Sequence, residues 1–494
     1  MVKSESWRLA LVALCGVVVQ AQGSTAYSGK KRLSSFELQL EGTPSASLRG
    51  HGAFQSAAAF VGLRELAEGA AGAAMALPAG PVDVLMTRVD NRGKQGVRRM
   101  AAALPPSEVS LLVFPRFRRL LDSIIPEGSR FDVQATHVLG NPLPDVFLSF
   151  VREAVIATGT RSVVTRALPV PHTTRPERSQ SGIRNLHSRF WRWLTDRRTV
   201  RVALKFFVVP VRGRVAAPAT EQSIATTLEQ VRQQQLLIPE LLAPRVTTHE
   251  EIRSVWGFAV PTMMGRIPGM AEYLTVDDHG NALLNFVMQL PLERCDLHHI
   301  QRSDRREGVD GYVVKRILQL ASSLATIGVV HMDLRDENIL VAEDGELLLS
   351  GFHRAVTVGT RVQCSSFLRE PSVAPEIAFC AVSLPGDTIV ASRGQDAWSV
   401  GMLLLQWLCG NIFYHHWLGH FDSLRISQHL ADLHRRFQSS GDQQRAHPVP
   451  IDWLRCRKPL SEQMKSIIES LLDLNPRTRA RPQSLIAAHF SSSS

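Results

Sequence analysis

Asp333 and Asn338 stand five residues apart in the octet His331-Met332-Asp333-Leu334-Arg335-Asp336-Glu337-Asn338. A carboxylate at the first position accepts or orients the proton of an attacking hydroxyl. An amide oxygen at the second helps to hold a metal ion. The pair suits phosphoryl transfer, which asks a protein for positioning and charge neutralisation more than for covalent chemistry. Arg335, between the two, carries the charge to neutralise a transferred phosphate. Lys205 ends the run Val202-Ala203-Leu204-Lys205 and is a cation of the kind that holds a nucleotide's α- and β-phosphates. Such a lysine has to be oriented by a helix-borne carboxylate. Glu229, 24 residues on, is the chosen partner, with Gln230 and Glu221 as competing registers.

These groups need a strand for the lysine, a helix for its carboxylate, and a turn for the octet. Residues 199–209 are rich in β-branched and aromatic side chains and predict a strand. The Gln-rich stretch 220–237 favours helix. Upstream, residues 131–138 alternate as a half-buried strand does, and 145–156 supply a second strand. Residues 113–121 mix basic and apolar side chains at helical spacing. From Leu283 onward strands give way to helices, which run to near Phe490.

Together the motifs resemble the protein kinase domain over residues 115–490. The run ending in Lys205 matches its strand lysine motif, and 331–338 its catalytic loop. Ala374-Pro375-Glu376 matches the close of its activation segment. Asp396-Ala397-Trp398-Ser399-Val400-Gly401 resembles a helix start whose Asp supports the catalytic-loop backbone in kinases. Asn475-Pro476-Arg477-Thr478-Arg479 resembles a late element whose Arg pairs with the activation-segment Glu. The resemblance implies an α+β, bilobal fold. A small, mostly β lobe spans 115–290 with an insert at 160–200, and the hinge lies near 288–292. A large, mostly α lobe spans 293–490. Glu376, Asp396 and Arg479 take structural roles. More narrowly, the chain resembles the rhoptry kinase family of coccidian parasites. It shares a signal-like start, a long leader, basic helices ahead of the small lobe and inserts within it. Leu349-Ser350-Gly351-Phe352-His353 is similar to the T-G-F-E of inactive members.

Two departures bear on chemistry. Thirteen residues after Asn338, where kinases place a metal-binding Asp, stands Gly351, which has no side chain to offer Mg²⁺. Asn338 alone is a poor anchor. Glu343 and Asp344 lie in a turn where solvated carboxylates are usual. The best candidate for the phosphate-binding loop, 139–147, keeps only Gly140. There Pro142 and Pro144 have no N–H to donate, and Asp145 repels phosphate. Met332 replaces the Arg that in kinases often pairs with a phosphorylated activation segment.

Composition sets wider bounds. The 494 residues are 44% hydrophobic and 20% charged, which supports a sizeable core. The net charge of +11 is carried mainly by Arg and is compatible with nucleic acid, an anionic membrane surface or an acidic partner, without choosing among them. Residues 1–23 read as a cleaved secretory signal: Lys3 and Arg8, a short apolar run, then small residues. Residues 24–110 read as a low-complexity leader with short helices, one of them near Arg98. The five later cysteines show no zinc spacing. Cys364–Cys380 is a conceivable disulfide, though buried or free thiols are favoured. Arg-flanked amphipathic patterns at 116–125 and 183–198 suit either a membrane surface or a core-facing helix. The His-rich stretch 413–420 reads as a surface loop, not a metal site. No nucleic-acid-binding module is recognisable, and no nucleic-acid partner is expected.

The resemblance and its departures imply a secreted pseudokinase. It would bind partner proteins, and possess at most weak ATP binding and a doubtful Mg²⁺ site. Its implied location is the rhoptry, then the host cell or parasitophorous vacuole. The alternative is a divergent active Ser/Thr kinase with Asp333 as base, Lys205 on the phosphates and Asn338 on a single metal.

Overall fold

The computed structural model describes residues 91–104, 115–138, 141–159, 162–170, 201–210, 218–242, 248–278, 280–301, 309–367, 372–410, 423–441, 444–456 and 458–490. All of them belong to one compact unit, 80–494. The signal-like start, most of the leader, Gly140, the 183–198 segment and the His-rich 413–420 stretch lie outside the described residues.

The small lobe is built on strands that can bury both faces. Strand β4 (Val202–Pro210) is continuously apolar except at Lys205, and its neighbours cover it on each side. It pairs with β3 (Ser162–Val170) and with β7 (Asn281–Pro291). From β3 the antiparallel sheet continues through β2 (Asn141–Gly159), β1 (Arg130–Val138) and β5 (Met263–Arg266) to β7, and β6 (Tyr273–Val276) pairs with the other end of β7 along the same edge as β5. Because β4 and β7 also pair, the sheet closes on itself. Inward-facing Val133, Leu148, Phe150, Leu204, Phe206 and Val287 fill the interior, as side chains do in small barrels.

A short helix, α2 (Pro115–Asp122), adds Phe117, Leu120 and Leu121 to this core. The apolar face read at 116–125 as a membrane face is therefore occupied by the protein's own small lobe. Arg118 pairs with Asp122 and Glu127 at the surface. Buried Arg152 fixes the junction by donating to Asp122 and to the Ile125 carbonyl. On the other side of the sheet, α3 (Pro218–Leu242) packs Ile224 and Leu236 against Phe207, Met264 and Met288.

The large lobe forms around α5 (Asp310–Thr326) and α7 (Arg393–Cys409), which are preceded by the short helix α4 (Leu297–Gln301). Helix α7 starts at a capping box: Ser392 and Gln395 exchange side-chain and backbone bonds across its first turn. Trp398 and Trp407 of α7 are buried in the main core. Strands β8 (Cys295–Asp296), β10 (Ile339–Val341) and β11 (Leu347–Leu349) form a small sheet, and β9 (Val329–Val330) pairs with β12 (Val356–Thr357). Helices α6 (Pro375–Ser383), α8 (Ser423–Ser439), α9 (Glu462–Leu471) and α10 (Pro482–Phe490) complete the lobe.

Two features differ from the sequence reading. Helix α1 (Asn91–Ala102) lies inside the stretch taken as leader, yet Val97, Met100 and Ala101 are buried in the large-lobe core. Burial of a Val or Met side chain contributes about 1.5–3 kcal/mol, so α1 is an integral part of the lobe. Lys94 pins it to Asp344, 2.8 Å away, and Arg294 donates to the Ala101 carbonyl at 3.2 Å. Gly345 faces this helix where a Cβ would come within 2.2 Å of the Lys94 carbonyl. Second, the cysteines are paired. Disulfides join Cys364 to Cys380 and Cys409 to Cys456, and among the described residues Cys295 is the free, buried thiol. The sequence had favoured free thiols because cysteines far apart in the chain give no sign of meeting in space.

Candidate functional site

The octet forms a tight turn between β9 and β10. Met332 sits in left-handed backbone at φ 62°, a strained conformation for a residue with a side chain. Asp396, at the start of α7, holds the turn: its carboxylate accepts from the His331 N–H at 2.7 Å and the Met332 N–H at 3.1 Å. Burial pushes the Asp396 carboxyl up to about 7, against the pull of those two donors. Below it, Arg479 makes a two-pronged contact with Glu376 at 2.9 and 3.1 Å. The Arg479 guanidinium also donates to the carbonyls of Asp473 and Gly394 and lies 5.3 Å from the Trp398 ring. Its side chain has no exposure to solvent.

Asp333, 4% exposed at its side chain, faces the cleft between the lobes. The Asn338 amide donates to its backbone carbonyl at 2.8 Å and to its carboxylate at 3.0 Å. Arg335 Nε stands 3.5 Å from the same carboxylate, and His353 Nε2 stands 3.8 Å from it. Burial and then the Lys205 charge pull the His353 imidazole down to about 4, with Asp333 opposing. His331 packs against Phe352 and bonds through Nε2 to the Ser350 carbonyl at 2.9 Å.

Gly351 decides the metal question. Its backbone is left-handed at φ 79°, and a Cβ there would come 2.2 Å from Asn338 Oδ1. The space that an aspartate would need is filled by the asparagine. Mg²⁺ requires several hard oxygen donors in near-octahedral geometry, and position 351 supplies no side-chain donor. The residues present do not fit that ion. Asp344 offers no substitute, since it is engaged by Lys94 and Arg253.

Lys205 reaches the cleft from β4 and is electrostatically coupled to Asp333. Burial lowers its pKa to about 8, which Asp333 partly resists. Among the described residues no carboxylate lies within ion-pair distance of it, and its ammonium sits 5.3 Å from the Phe207 ring. Glu229 is not its partner. It pairs with Arg232 at 3.1 Å and with Gln233 at 3.0 Å along the exposed side of α3. The inward face of α3 is set by Ile224, Gln235, Leu236, Ile238 and Leu242, and Glu229 falls off that stripe. Gln230, the second register, is also exposed. A count of residues from the lysine cannot detect such a rotation. The sheet order also puts β2 and β3 between the β1 strand and the lysine strand. The hairpin beside Lys205 is therefore β2–β3, not the β1–β2 turn read as the phosphate loop.

One cluster escaped the sequence reading. His298 of α4 lies 2.8 Å from Asp336, and the two share a neighbourhood with Glu337. Burial would raise the Asp336 carboxyl, but the His298 bond holds it below the usual range, and that same bond raises the imidazole. Gln406 of α7 also donates to Asp336 at 2.9 Å. Burial and the adjacent Asp336 push Glu337 up to about 7. The His–Asp pair fastens the catalytic-loop turn to α4. It joins residues 38 apart, with no signal in local spacing.

Comparison with known proteins agrees with this geometry. Residues 275–491 match the protein kinase domain family model. The chain is 25% identical over 238 residues to the serine/threonine-protein kinase ROP17 of Toxoplasma gondii, covering 46% of this chain and 35% of that protein. It spans less than half the length of each of the curated relatives it matches. Its fold is similar to that of ROP2 from Toxoplasma gondii, described as a virulence factor with a protein-kinase fold and no enzymatic activity. The TM-score is 0.55 at 14% identity, over 81% of this chain and 94% of that one. It is similar also to the ROP18 kinase domain in complex with AMP-PNP and sucrose, with a TM-score of 0.50 at 16% identity, over 82% of this chain and 93% of that one. The chain has a protein kinase-like fold, and the proteins it is similar to include rhoptry kinases.

Proposed function

We propose that this protein is a pseudokinase that acts by binding other proteins. One observation carries the reading: Gly351 stands at the metal-binding position, with Asn338 filling the space that a carboxylate would need. Three further features support it. Lys205 lacks a carboxylate partner among the described residues, His353 projects at Asp333, and Glu229 faces outward. The likeness to ROP2 points the same way at the level of fold.

The protein follows a secretory route on this reading. Two disulfides support it, because such bonds persist in oxidising compartments and are rare in the cytosol. The relatives suggest a rhoptry origin, with the host cell or vacuole as destination. A membrane role now rests on residues 183–198 alone.

Nucleotide is a residual ligand here. Lys205 and Arg335 carry the charge that could offset phosphate without a metal. Calorimetric titration of ATP with Mg²⁺ and with chelator tests this. Equal, weak heats in both are expected. Tight binding that requires Mg²⁺ would overturn the reading and favour the divergent active kinase, whose base would be Asp333.

A further inference from the structure

The segment between Gly351 and Glu376 corresponds to the part of a kinase that phosphorylation often orders, through a new contact between phosphate and arginine. Here its described residues 356–367 are braced by other means. After β12, the Val358 N–H donates to the Gly328 carbonyl at 2.9 Å. The Gly359 N–H then donates to the Ala391 carbonyl at 2.9 Å, and the Ala391 N–H returns to the Thr360 carbonyl at 2.8 Å. Strand β13 (Arg361–Gln363) pairs in antiparallel register with β14 (Thr388–Val390), which lies between α6 and α7. The ladder ends where the Cys364 N–H donates to the Asp387 carbonyl at 3.0 Å, and there the Cys364–Cys380 disulfide ties the segment to α6. Phe367 is buried just beyond, with the Arg354 guanidinium 5.7 Å from its ring.

The side that would receive a phosphate has been dismantled. Met332 stands where kinases often carry the receiving Arg, and it is 5% exposed within the apolar core. The hydroxyls of Thr357 and Thr360 are bonded to each other at 2.9 Å.

We propose that the Cys364–Cys380 disulfide replaces the phosphate–arginine contact. It fixes the activation segment in one conformation during oxidative folding, and phosphorylation does not order it. The physical basis is loop closure. A cross-link 16 residues apart in sequence removes most open conformations of the chain between its ends. Cys364 is fully buried and Cys380 nearly so, which places the clamp inside the lobe, not on its surface. The consequence is a pre-formed segment surface, present in every molecule that has passed through an oxidising compartment. This inference concerns the segment and stands whether or not the cleft transfers phosphate.

Hydrogen exchange read by mass spectrometry tests it on the full chain. Protein exported to a bacterial periplasm is oxidised and unphosphorylated in the segment. Peptides covering 356–367 are expected to be protected in it, within ten-fold of those from α5. In a Cys364→Ser, Cys380→Ser double variant their exchange should rise at least ten-fold, while α5 and α7 peptides keep their protection. A Cys409→Ser, Cys456→Ser variant is the control and should leave the segment unchanged. Free exchange of the segment in the oxidised, unphosphorylated wild type would overturn the proposal, whether or not either variant folds. Unchanged protection in a folded Cys364→Ser, Cys380→Ser protein would overturn it too.

Discussion

Two charged arrays sit a short distance apart in this molecule, and they have fared differently. Beneath the catalytic turn, Arg479 has Glu376, two carbonyls and an indole ring, and Asp396 has two backbone donors. In the cleft above, Lys205 has no carboxylate at contact distance among the described residues, Glu229 points away, and Gly351 offers the metal position no side chain. The lower array supports the fold whether or not anything is catalysed. The upper array is needed only when phosphate moves. On the proposed reading, its loss next to an intact brace fits a fold kept for binding and not for transfer.

The largest expected effect breaks the lower array. Glu376→Ala strands the buried Arg479 charge and should cost about 3–5 kcal/mol in urea unfolding. In contrast, Lys205→Met removes a buried ammonium without a close partner and should leave stability level or raised. A loss below about 1 kcal/mol for Glu376→Ala, or above 2 kcal/mol for Lys205→Met, would reverse the comparison.

What the sequence disclosed follows the same division. Glu376, Asp396 and Arg479 were legible because each lies in a contiguous motif, and the structure places them in the contacts described. The octet and the strand that carries Lys205 were legible for the same reason. Glu229 was not, because the partner of Lys205 depends on how α3 is rotated, and the inward stripe of that helix is fixed by tertiary packing. The disulfides and the His298–Asp336 pair join residues from 16 to 47 apart in sequence, where nothing local marks them. A short helix near Arg98 was legible, but the burial of α1 in the large lobe was not. Its dock depends on Gly345, more than two hundred residues away.

Next in size is the attempt to restore the metal ligand. Gly351→Asp puts a side chain on left-handed backbone and into Asn338, and should destabilise by about 1–3 kcal/mol. It should gain no phosphoryl transfer. Recovery of metal-dependent transfer in this variant would show that the cleft lacks only one carboxylate.

The smallest effect is a pH dependence. The folded chain holds the His353 imidazole down to about 4, while an unfolded chain protonates it near 6.5. Between these values the unfolded state binds more protons, so stability falls as pH drops from 6.5 to 4. His353→Gln should flatten that decline in urea midpoints measured across the window. Lys205 acts at the other end. Its pKa of about 8 lies below the ordinary 10.5, so it contributes stability that rises with pH between the two. Lys205→Met should remove that rise.

The central claim, that the cleft no longer transfers phosphate, is met most directly by one measurement. Full-chain wild type and Asp333→Ala are incubated with labelled ATP and either Mg²⁺ or Mn²⁺, with basic protein and peptide acceptors present. Incorporation into acceptor or into the chain itself is then counted. The account predicts the same background for both proteins with either metal. Metal-dependent incorporation by the wild type that disappears in Asp333→Ala would contradict it.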